Sequence, residues 1–126
     1  MLFRSFKING SDLVDLVETG KFLSNENYCK KIIKKSLENY IIEKGIDTIT
    51  LSSTHLLFLK KLFEKEFPKV QFIDPGNLVA KKIFLKAKNK QSKRNSLKIF
   101  TSGNEIQFKN KLNKIGIKNK INYLST

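Results

Sequence analysis

The chain has no tryptophan, one cysteine, one histidine and two prolines among its 126 residues. Cys29 alone excludes an intramolecular disulfide framework and any multi-cysteine zinc site. His55 alone excludes a histidine-rich metal site, so no metal and no cofactor is expected. No apolar run approaches the ~20 residues needed to cross a bilayer. The first residues, Met1 to Ile8, hold Arg4 and Lys7 within a short apolar run and do not read as a secretory signal. These absences leave a cofactor-poor domain, expected to be cytoplasmic and not membrane-bound. With 40% apolar residues it has the material for a core and is not a disordered tail.

Arginine is scarce as well. Of 25 basic residues 23 are Lys, against 11 acidic ones, for a net charge of +14. A basic surface attracts phosphate backbones and other polyanions. Selected nucleic-acid surfaces draw on Arg for bidentate contacts, whereas here Lys comes with abundant Asn and Ile, the residues that AT-rich codons favour together. Two readings therefore stand: a coding bias that fills solvated faces with lysine, or a polyanion site. The densest run, Lys81 to Arg94, is the candidate for the second.

Hydrophobic periodicity alternates between helix and strand. Near the start, Ser11 to Glu18 reads as a short helix closed by Gly20. Ser24 is placed to cap a helix running to about Glu43, with Tyr28, Ile32, Ile33, Leu37, Tyr40 and Ile41 on one face and Gly45 as its stop. Thr48 to Leu51 reads as a strand, His55 to Phe67 as a helix ending before Pro68, and Val70 to Ile73 as a second strand. Asp74-Pro75-Gly76 opens another helix, whose stripe Leu78, Val79, Ile83, Phe84 and Ala87 is expected to be buried. Lys88 to Asn95 reads as its frayed end and a loop. Leu97 to Thr101 is a strand, Asn104 to Asn113 a helix and Ile121 to Leu124 a last strand. Strands separated by helices imply an α/β fold with short, mostly parallel sheets. Each sheet has so few strands that some of its neighbours are expected to lie outside this chain.

In open α/β sheets, ligands bind beyond the carboxyl ends of strands. One such junction stands out, where Leu51 runs into Ser52-Ser53-Thr54-His55 and then a helix. Three hydroxyls and an imidazole there meet a helix start, an arrangement suited to a carboxylate or phosphate. The plainer alternative is that Ser53 and Thr54 only cap the helix. Cys29, in mid-helix, reads as a buried structural thiol.

The stretch from Gly45 to Val79, GIDTITLSSTHLLFLKKLFEKEFPKVQFIDPGNLV, resembles the C-terminal part of glutamate racemases, in the aspartate/glutamate racemase family. Ser52-Ser53-Thr54-His55 stands at the place of that family's Gly-Cys-Thr-His. Leu13 to Gly20 is similar to its Val-x-Leu-Val-Glu-x-Gly segment, and Phe100-Thr101-Ser102-Gly103 to its late strand ending in Thr/Ser-Gly. The resemblance implies a partial two-lobe racemase-like fold, with residues 1–74 ending the second lobe and 75–126 returning to the first.

It also implies a chemistry. The family interconverts L- and D-glutamate without cofactor or metal, supplying D-glutamate for cell-wall peptidoglycan. One cysteine thiolate removes the Cα proton and an opposite thiol returns one to the other face. A thiol suits this because its pKa near 8.5 is readily lowered. The second cysteine falls on Ser53, its assisting histidine on His55, the assisting glutamate on Glu18 and the substrate-contacting threonine on Thr54, with Ser52 beside it. On local grounds alone, Glu18 reads equally as a solvated carboxylate and His55 as a helix-terminal hydrogen-bonding group.

Two departures bear on activity. Ser53 is a far weaker acid than a thiol, and the family's N-terminal half, with its Asp-Ser turn and its Cys-Asn-Thr, has no counterpart here. Leu56 and Leu57 stand where the family has Tyr and Pro. The expectation is a racemase-like C-terminal part that binds glutamate or aspartate. It would be inactive alone, or active only with a separate N-terminal half, and exposed sheet edges would favour self-association. The alternatives are a basic module that binds nucleic acid through Lys81 to Arg94 and a decayed gene product.

Overall fold

The computed structural model describes residues 4–90, 94 and 96–125, the side chain at position 89 apart. Helices α1 (Ser11–Glu18), α2 (Lys21–Ser24) and α3 (Glu26–Ile42) precede strand β1 (Thr48–Thr50). A 3-10 segment (Thr54–Leu59) leads into α4 (Lys60–Glu66), followed by β2 (Gln71–Ile73) and α5 (Gly76–Ala87). After a 3-10 turn (Lys88–Lys90) come β3 (Ile99–Thr101), α6 (Glu105–Lys114) and β4 (Ile121–Tyr123). The chain divides into two compact units, Met1–Lys86 and Ala87–Thr126. Each holds one two-stranded parallel sheet, β1 with β2 and β3 with β4. Parallel pairing forces a crossover, supplied by the 3-10–α4 stretch in one unit and by α6 in the other. The fold is α/β, as the alternation predicts.

The first unit owns the core. Leu13 and Leu16 of α1, Cys29, Ile33 and Leu37 of α3, Leu51, Leu59, Phe63 of α4, Val70 and Phe72 of β2 form one buried cluster. Phe63 stacks on Phe72 with ring centroids 5.3 Å apart, fastening α4 to the sheet. Cys29 is fully buried, and that burial pushes its thiol above the ordinary value near 9.0. It is a structural thiol. On the surface, Glu26 takes hydrogen bonds from Lys65 and Lys30, which hold its carboxyl below the usual carboxylate range. Exposed pairs of this kind contribute little to stability.

Three sequence expectations need correction. Ser24 does not cap the long helix; it ends α2, and the Asn25 side chain accepts the amide of Tyr28 instead. An Asn one residue on does the same chemistry, so the helix was legible and its cap was misplaced by one. The helix after β1 begins as 3-10 rather than α. Most consequentially, the expected buried stripe of α5 is exposed: Leu78, Val79, Ile83 and Phe84 are all more than half accessible, and Ala87 is exposed too. The start of α5 is as read, with Asp74 Oδ1 accepting the Gly76 amide at 2.7 Å. A Cβ at Gly76 would sit 2.9 Å from that oxygen, so glycine keeps the turn closed. The expected frayed end and basic loop fall partly on residues 91–93 and 95, outside the described residues.

Candidate functional site

The β1–α4 junction is built by three local rules. β1 hands the chain to Leu51, which is buried and donates its amide to Ile73 O at 2.9 Å, fixing the strand end against β2. Ser53 then adopts an extended conformation, and its Oγ accepts the His55 amide at 3.3 Å as the cap of the 3-10 segment. That capping geometry sets the imidazole beside the same hydroxyl, with Oγ 3.4 Å from Nδ1.

The carboxylate arrives from elsewhere in the chain. α1 buries Leu13 and Leu16, which turns Glu18 at its last position outward. Gly20, with φ of +73°, then redirects the chain into α2. Glu18 Oε1 meets His55 Nε2 at 2.5 Å across 37 residues of sequence. The result is a line of carboxylate, imidazole and hydroxyl. With Nε2–H donated to Glu18, Nδ1 carries the lone pair and accepts from the Ser53 hydroxyl; this tautomer follows from the carboxylate's needs. Ser53 is half-buried, while the His55 and Glu18 side chains are 37% and 54% accessible, so the line opens to solvent.

Of the five candidate residues, the structure joins Glu18, Ser53 and His55. Ser52 and Thr54 flank them in the same turn, both exposed. Leu56 and Leu57 turn inward and pack against the core, so these two positions serve packing here and present no polar group to the site. The basic run is exposed where described, from Lys81 to Lys88 and at Lys90, whereas residues 91–93 lie outside the described residues. Among the described residues no three His, Cys, Asp or Glu side chains cluster to hold a metal ion, and no helix is long and apolar enough to cross a membrane.

Sequence reading missed a second feature, a cavity of about 350 Å³ lined by Leu97, Lys98, Phe100, Lys120 and Asn122. Its signal was present in the alternation of Lys98 and Phe100 along one strand.

No family model matches the chain. Curated relatives do. A glutamate racemase of Leptospira borgpetersenii serovar Hardjo-bovis (strain JB197) is 30% identical over 105 residues, covering 77% of this chain and 39% of the relative. A glutamate racemase of Persephonella marina is 37% identical over 76 residues, covering 60% of this chain and 27% of the relative. Among solved structures, glutamate racemase from Thermus thermophilus in complex with β-chloro-D-alanine superposes with a TM-score of 0.74 at 20% identity. That superposition covers 89% of this chain and 44% of the other. The match therefore spans about two-fifths of the Leptospira racemase and about a quarter of the Persephonella one.

Proposed function

We propose, from the premise that this chain is homologous to glutamate racemases over part of their length, that it carries one side of an acidic amino-acid site. The other side is left to a separate polypeptide. The observation that carries this reading is the Glu18–His55–Ser53 line at the end of β1. Racemisation at an amino-acid Cα needs a base on one face to take the proton and an acid on the other to return one. Ser53 occupies the place of one of these groups, and its hydroxyl is too weak an acid to supply a base near neutral pH.

What Ser53 and Thr54 retain is the ability to hydrogen-bond a carboxylate, with His55 held in place by Glu18. In this reading glutamate is the favoured ligand, aspartate the alternative, and the protein serves D-glutamate supply for peptidoglycan in the cytoplasm. Residues 1–74 correspond by descent to the end of one racemase lobe and 75–126 to the returning part of the other. The exposed apolar faces of α5 support this, because a helix with apolar residues on more than one side is ordinarily covered by other elements. The partner would bring the opposite thiol.

The test is binding and turnover measured together on the purified chain. L- and D-glutamate are expected to shift the NMR resonances of Thr54 and His55, and chiral chromatography is expected to show no conversion of one into the other. Shifts absent with glutamate and aspartate alike would remove the site, and conversion by the chain alone would remove the dependence on a partner.

A further inference from the structure

The unit Ala87–Thr126 carries, by sequence, ten basic residues against a single acid, Glu105. Its β3–β4 pair has two unlike faces. On one, Ile121 is buried and Ile99 half-buried, and α6 packs on β4. Strand alternation puts Lys98, Phe100, Lys120 and Asn122 on the other. The register pairs Phe100 with Asn122 and Ile99 with Ile121, and Lys98 and Lys120, each just before its strand, line one cavity with them. These residues line the 350 Å³ cavity, with the Phe100 side of it open: that residue is 53% exposed. Asn122 Nδ2 donates to Ile99 O at 3.1 Å, which pins its side chain along the sheet.

Two like charges lining one cavity repel each other. Among the described residues neither ammonium has a carboxylate within ion-pair distance. The pair therefore calls for an anion, and the ring next to it calls for a flat apolar group. An apolar protein surface does not answer both, because interface cores are depleted in lysine and burying two unpaired ammonium groups is costly. A nucleotide answers both, with a phosphate for the lysines and a base for the ring. α5 differs in kind, presenting Val79, Ile83 and Phe84 where this face presents a charged pair beside one ring.

We propose that the β3–β4 face binds single-stranded nucleic acid, seating one nucleotide with its base stacked on Phe100 and its phosphates held by Lys98 and Lys120. The net positive charge of the unit adds long-range attraction, which favours a polymer over a free nucleotide. The proposal uses none of the residues of the amino-acid site and does not rest on it.

The experiment is fluorescence anisotropy of the full chain with a labelled oligothymidylate of about 15 nucleotides at about 50 mM salt. Binding is expected, and it should weaken steeply as salt rises. Phe100→Ala should weaken it at least about 5-fold and the double change K98E/K120E about 10-fold or more. The double change K31E/K35E, on exposed positions of α3, alters net charge equally and should have a clearly smaller effect. Circular dichroism of each variant checks that the fold is kept. The proposal is overturned by no binding at low salt, by equal losses from both charge reversals, or by indifference to Phe100→Ala. Competition by free thymidine monophosphate or polyglutamate as effective as that by the oligonucleotide would overturn it as well.

Discussion

Ser53 accepts the amide proton of His55 while its oxygen also lies 3.4 Å from the imidazole, so the capping reading and the site reading describe one hydroxyl. Removing it tests the first of these directly. Ser53→Ala should lower the unfolding free energy by about 1 kcal/mol, measured by urea titration, which is the usual cost of losing a cap acceptor. The pairing of Glu18 with His55 could not have been read from local sequence, because nothing within a few residues of either points to the other. Only the resemblance placed both in one site. The residues that could be read locally were those whose roles are local: Asp74 closing on the Gly76 amide, Gly20 and Gly45 at positive φ, and Cys29 as a buried apolar filler.

Helices and strands were legible wherever periodicity and turn chemistry agreed, as in α1, α3, β1 and α6. What periodicity cannot convey is whether an apolar face has a neighbour. α4 and α5 show the two outcomes. Phe63 of α4 stacks on Phe72 and is buried, whereas Ile83 and Phe84 of α5 obey the same spacing rule and stay exposed. The physical reason is that helical spacing describes a helix, while burial depends on what else is present. It follows that Phe63→Ala should cost about 3–5 kcal/mol of stability in the isolated chain, since it opens a cavity in the core. Ile83→Ser should change it by no more than about 0.5 kcal/mol, because that side chain is already 61% exposed. Thermal or urea unfolding of the two variants separates them. A large loss from Ile83→Ser would show that this face is already covered in the isolated chain.

Two units, each resting on a two-stranded parallel sheet, make an unusual whole, because pairs of strands are marginal without further neighbours. The second unit has a single buried apolar side chain among its described residues, Ile121, against ten in the first. Homology to racemases more than twice as long as the matched region gives this economy a context: the match covers 39% of the Leptospira relative. Under the proposed function, the Glu18–His55–Ser53 line is expected to hold an acidic amino acid without taking its proton.

Cα deuterium incorporation into L-glutamate in heavy water, followed by proton NMR, detects proton removal from a single face even where no inversion follows. For the purified chain alone the expected result is loss of the Cα–H signal no faster than in a protein-free control. Steady incorporation that Ser53→Ala abolishes would show that the hydroxyl works as a base without a partner, and would contradict the account.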